Sequence, residues 1–157
     1  MKNKKMNNKG FSLVELIIVI AIMAILVGVL APVYTQYVER TRKSSDVNGV
    51  ADIATAMETT LIDFSSRGVT GSITATIPAD GTAVTFTSTD TGTTTMADAV
   101  EGIIGTGFHL TANWSSTTNT SLVATIDTNG SVTYTVTASS VVAEMMAEYP
   151  ALNDKLD

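Results

Sequence analysis

Apolar positions follow three different patterns along this chain, and each predicts a different kind of element. From Leu16 to Ala31 every residue is apolar or glycine. Extended to Phe11 and Tyr34, the stretch holds one side chain charged at neutral pH, Glu15. A bilayer core of about 30 Å takes about 20 residues of helix, so residues 11–34 are long enough to span it. Beyond Pro32 the apolar residues thin out to Val47, Val50, Ala54, Met57, Leu61 and Phe64. Steps of three and four make one helical stripe, so residues 35–66 predict an amphipathic helix half that lays this stripe on a sheet. Pro32 lacks the N–H that would bond to Gly28, and its ring crowds that carbonyl. Glycine is also a weak helix former, so a helix kink is expected at Gly28 and Pro32. Arg67-Gly68 is the expected helix end, with glycine suited to a C-cap.

After Thr70 the period changes to two, and Ser and Thr dominate the polar positions. Ser72–Ile77, Thr82–Ser88, Phe108–Trp114, Ser121–Asp127 and Ser131–Thr137 each alternate with β-branched residues and predict half-buried strands. Between the last two, "DTNGS" predicts a hairpin, because Asn129-Gly130 can take positive φ. That pairing puts Leu122, Ala124 and Ile126 on one face with Val132, Tyr134 and Val136. Met96–Gly105 has helical spacing. A terminal helix is expected from an N-cap at Ser139 or Ser140 to Tyr149, stopped by Pro150. The fold class is therefore α+β: a long N-terminal helix, hydrophobic and then amphipathic, packed on a C-terminal antiparallel β-sheet. Residues 67–157 form the Ser/Thr-rich head with its C-terminal helix.

Charge sharpens this division. The 157 residues carry a formal charge of -6, but Lys2, Lys4, Lys5 and Lys9 precede the apolar stretch. Between Arg67 and Lys155 there is no Lys or Arg, while eight acidic residues lie there. A nucleic-acid site built on a basic patch is excluded for that region, since phosphate binding needs clustered cations. No cysteine is present, which removes disulfides, cysteine zinc sites and thiol catalysis. His109 is the only histidine. No catalytic residues, no cofactor site and no metal site are expected, and an enzyme is the least favoured class. Asp80, Asp90 and Asp98 offer oxygens but match no calcium-loop spacing. Asn113, Asn119 and Asn129 begin N-x-[ST] triplets, which arise readily by chance in a Ser/Thr-rich chain.

The lysines before the span keep the N-terminus cytoplasmic by the positive-inside rule, which places the acidic head outside the cell membrane. A secretory signal peptide fits less well. Its small-residue exit, Val29-Leu30-Ala31, runs straight into Pro32. A plain single-span anchor leaves Glu15 unexplained. An acidic residue at the centre of a span costs roughly 2.5–3.5 kcal/mol, less near an end, and marks a functional position.

The segment "KGFSLVELIIVIAIMAILVGVLAP", Lys9 to Pro32, resembles the prepilin N-terminus of type IV pilins and the related pseudopilins. The family pattern is a short basic leader ending in Gly, then Phe, a Glu at the fifth mature position and a Pro at the twenty-second. Gly10, Phe11, Glu15 and Pro32 match all four. The family often has glycine where this chain has Ala24; here the glycine is Gly28, four residues on. The resemblance implies a leader over residues 1–10, cut by a prepilin peptidase between Gly10 and Phe11, with N-methylation of Phe11. It implies a transmembrane and polymerisation half over 11–34, and a pairing of Glu15 with the Phe11 amine that sets assembly register. The implied protein is a pilus subunit: single-pass in the cell membrane before assembly, extracellular afterwards. Its partners would be copies of itself, the peptidase, an inner-membrane assembly platform and the membrane. A pseudopilin of a secretion or competence system shares the same motif. A membrane-anchored binding module that never polymerises is the reading from another class.

Overall fold

The computed structural model describes residues 11–90, 93–127 and 129–156. The chain divides into two units, Met1–Val38 and Glu39–Asp157. Helix α1 (Leu13–Ser66) is continuous in secondary structure through Gly28 and Pro32. In the first unit its side chains from Leu13 to Tyr37 are exposed, including an almost unbroken series of Leu, Ile and Val. Nothing within the described chain covers them.

The second unit has its own core. The α1 stripe predicted by spacing, Val47, Val50, Ala54, Met57, Leu61 and Phe64, is buried, and Ile53 and Ala56 join it. Its end follows the expected chemistry. Gly68 takes φ of 80°, and the Val69 N–H reaches back to the Phe64 carbonyl at 3.0 Å. Strands β1 (Ser72–Ile77), β2 (Thr85–Ser88), β3 (Thr120–Ile126) and β4 (Val132–Val136) form one antiparallel sheet in the order β2-β1-β3-β4. The β3–β4 hairpin has the predicted register: Leu122 faces Val136, Ala124 faces Tyr134 and Ile126 faces Val132. At its turn Gly130 has φ of 83°, and Asp127 accepts from Asn129 N and Ser131 N, both at 2.8 Å; Thr128 lies outside the described residues. Ile73, Ala75 and Ile77 of β1 point into the core with Leu122 and Ala124 of β3. Tyr134 reaches across to α1, donating to the Ala54 carbonyl at 2.9 Å.

Helix α2 (Met96–Ile104) lies between β2 and β3 in sequence and is closed at its N-terminus by a capping box, Thr95 with Asp98. Helix α3 (Val141–Glu148) is capped by Ser140, whose side chain accepts from Ala143 N. Three expectations need correction. Phe108–Trp114 is not a strand: the amides of Thr111, Ala112 and Asn113 turn to the α1 carboxylates Asp46 and Glu39 instead of a neighbouring strand. The strand expected over Thr82–Ser88 is confined to Thr85–Ser88. Pro150 does not end the helical region. It opens a further helix, α4 (Pro150–Leu156), at the first-turn position where the missing N–H costs nothing. Leu152 and Leu156 then complete the core.

Candidate functional site

The motif residues gather at the start of α1. Gly10, the last residue of the expected leader, lies outside the described residues. Phe11 precedes the helix and is 94 % exposed. Ser12 sits at the N-cap, with its carbonyl accepting from Leu16 N at 3.2 Å. Glu15 is the third helical residue and turns back, its Oε2 accepting from the Ser12 N–H at 2.8 Å. This is the carboxylate half of a capping box. It satisfies one of the helix's free N-terminal donors and places negative charge at the positive end of the helix dipole. The signal was in the sequence as S-x-x-E ahead of an apolar run, "SLVE". Glu15 therefore has a local structural task as well as a position that lipid disfavours. In the uncut chain the Phe11 nitrogen is a peptide nitrogen, so the expected pairing of Glu15 with a Phe11 amine would require cleavage before Phe11.

Further along the helix, Gly28 is in open space: a Cβ built there meets nothing within 4 Å. No contact among the described residues requires a glycine at that position. Pro32 contributes no N–H, and its carbonyl accepts from the Thr35 hydroxyl at 2.9 Å. That bond pulls on a carbonyl of the helix, as back-bonding hydroxyls do.

The other residues singled out by sequence have structural work. Asp80 caps its own loop through Thr82 N and Oγ1, and these two bonds hold its carboxyl below the usual range. Asp90 accepts from Met96 N at 3.0 Å, and Asp98 from Thr95 N at 2.8 Å. Asp80 thus serves its own loop, while Asp90 and Asp98 both hold the N-terminus of α2. Among the described residues no cluster of three or more acidic or histidine side chains could hold a metal ion. His109 Nδ1 lies 2.9 Å from the Gly107 carbonyl. Trp114 is in the core.

Comparison with known proteins points to the same segment. Residues 5–31 match the family model described as the prokaryotic N-terminal methylation motif. The type IV major fimbrial protein FimA of Dichelobacter nodosus is 42 % identical over 55 residues, 35 % of each chain. A fimbrial protein of Pseudomonas aeruginosa is 40 % identical over 55 residues, 35 % of this chain and 36 % of that protein. The matched region thus spans about a third of the length of these curated relatives. No solved structure matches the chain significantly. The methylation motif thus falls on the start of an apolar helix that is followed in sequence by an antiparallel sheet domain, an arrangement similar to that of prepilin-like proteins. Motif, relatives and the α+β fold together support a type IV pilin.

Proposed function

We propose that this chain is the structural subunit of a type IV pilus, cut between Gly10 and Phe11 by a prepilin peptidase and methylated at Phe11. One observation carries the reading. The methylation motif overlaps a helix segment, 13–34, whose apolar side chains are all exposed among the described residues. Lipid can cover that surface in the precursor, and the same segment of other copies can cover it in a filament. Residues 1–10 are then a leader, 11–34 the membrane and polymerisation half, 35–66 the amphipathic half and 67–157 the head. The head faces outward before assembly, and the filament is extracellular. An inner-membrane platform lifts subunits from the bilayer. Surface adhesion, motility, aggregation or DNA uptake are the outputs such a filament serves.

Cleavage also supplies a partner for Glu15. A carboxylate among apolar helices is costly unless an opposite charge meets it. The new Phe11 amine, in the same or a neighbouring copy, is that charge, and a wrong axial stagger leaves both unpaired. Gly28 and Pro32, with no packing role and no N–H respectively, are where the helix loosens on assembly.

Sheared surface material tests the proposal by electron microscopy and mass analysis of its subunit. Filaments whose subunit begins at N-methylated Phe11 support it. A chain that keeps its leader and never enters filaments overturns it and leaves an anchored module. Short, periplasm-spanning assemblies absent from the surface overturn it in favour of a pseudopilin. The variant Glu15→Ala is expected to insert in the membrane as wild type does, yet yield at least about tenfold less filament, the factor corresponding to ~1.4 kcal/mol of subunit docking. Wild-type filament yield from that variant would remove Glu15 from assembly.

A further inference from the structure

The segment 108–119 carries no regular secondary structure, yet its amides are held. Asp46 of α1 is 2 % exposed and collects the first set of bonds. Its Oδ1 accepts from Thr111 N and Thr111 Oγ1, both at 3.0 Å. Its Oδ2 accepts from Ala112 N and Trp114 Nε1, both at 2.9 Å. Glu39, two helical turns earlier, accepts from Asn113 N. Glu144 of α3 takes Ser115 N at 3.1 Å, Ser115 Oγ at 2.7 Å and Ser116 N at 2.7 Å. Five backbone amides between Thr111 and Ser116 are thus bonded to three carboxylates on two helices.

A β-ladder holds its amides with carbonyls, which do not titrate. Carboxylates do. When ionised they only accept, and two oxygens can meet four donors. When protonated, one oxygen becomes a donor itself. Around Asp46 every approach is already filled by a donor, so a proton there must displace one of them. We propose that residues 111–116 are an acid-released strap, held to α1 and α3 by the carboxylates of Glu39, Asp46 and Glu144 and freed in acid, with the sheet left standing.

The charged groups around the strap set where it responds. From α1 these are Glu39, Arg42 (4.0 Å from Glu39), Lys43 and Asp46; from α3 they are Glu144, Glu148 and the adjoining Tyr149. His109 lies within the segment, its Nδ1 turned to the Gly107 carbonyl. Lys43 holds its ammonium 2.9 Å from Glu148 and 4.6 Å from the Trp114 ring centroid. The Glu148 hydrogen bond raises its pKa, so it stays charged through acid and neutral pH. Burial pushes the Glu144 carboxyl up, but bonds from Ser115 and Ser116 and the Lys43 charge outweigh it and leave the group below its ordinary value. Its contribution is therefore complete above the ordinary glutamate pKa and is lost as pH falls through the lower folded-state value. The ladder bonds between the strands join amides to carbonyls and require no ionised group.

Trp114 is the only tryptophan of the chain, and its Nε1 is one of the clamped donors. Full-length protein in detergent micelles is titrated from neutral pH to about pH 3, with tryptophan emission and far-UV circular dichroism recorded together. The expected result is a red shift of emission below about pH 4.5 with the dichroism unchanged. Glu144→Gln keeps the shape and removes the charge, and is expected to raise the midpoint by at least about half a pH unit. Asp46→Asn is expected to show red-shifted emission already at neutral pH; should it fail to fold, Glu39→Gln joins Glu144→Gln as the second test. Emission and dichroism moving in one transition overturn the strap, because the domain then unfolds as a whole. So does emission that follows the histidine range near about pH 6.5, or a Glu144→Gln midpoint equal to wild type.

Discussion

At Gly49 a Cβ would lie 2.0 Å from Phe108 Cε2 and 2.5 Å from Cζ. The ring of Phe108 fills the place a side chain would take, on the flank of α1. Two effects oppose each other in Gly49→Ala. Alanine gains roughly 1 kcal/mol of helix propensity. Displacing a packed ring costs about 1–3 kcal/mol. The overlap is too deep for a small adjustment, so the packing loss wins and Gly49→Ala destabilises the head by about 1 kcal/mol net. Chemical denaturation of the single and double variants checks this. In a Phe108→Ala background the same change should become stabilising, and a cost that persists there would show that the ring is not its source. Two acidic residues of α1, Glu15 and Asp46, were unequally legible. Glu15 stood out because lipid disfavours it and because a spaced motif surrounds it. Asp46 looked like any polar residue off the apolar stripe. Its partners lie 65–68 positions away, and no local pattern announces them.

Among the elements, periodicity was a good guide wherever packing follows period. The α1 stripe, β1, the β3–β4 hairpin and α2 all sit where their alternation put them. It failed at Phe108–Trp114, where alternation is present but no strand pairs with it. The α1 carboxylates Asp46 and Glu39 accept from its Thr111, Ala112 and Asn113 amides instead. It failed at Pro150 because a proline that ends one helix is also suited to begin the next. The hairpin's link to α1 carries a prediction of its own. Burial, helped by the charge of Glu58, pushes the Tyr134 hydroxyl up to about 12. The folded state therefore favours the protonated phenol. That stability is fully present below the unfolded pKa of about 10 and is lost as pH rises through about 12. Tyr134→Phe removes the bond to the Ala54 carbonyl, costing about 1 kcal/mol at neutral pH. It should also flatten the fall in stability between about pH 10 and 12. Denaturant midpoints measured across that range decide it; a variant with the wild-type alkaline slope would assign that slope to another group.

For the molecule as a whole, the division between the units separates two solvents. Every buried hydrophobic residue among those described lies at Val47 or beyond, and the side chains of 13–37 are exposed without exception. The second unit also holds every acidic residue except Glu15. A chain beginning at Glu39 therefore keeps the whole core, the strap carboxylates and the sheet, and loses only surface that water does not tolerate. It begins with an acidic residue in the first turn of its helix, which the helix dipole favours. Its strongly negative charge opposes self-association. Such a fragment is expected to be soluble and monomeric without detergent and to unfold in one cooperative transition. The full chain should need detergent or lipid. Light scattering with thermal dichroism on both forms checks the pair of outcomes. An aggregated or non-cooperative fragment would mean that the apolar helix half supports the head as well as anchoring it. A cooperative one would mean that the head does not rely on the apolar residues 11–34, which is what the proposed passage from lipid to filament asks of them.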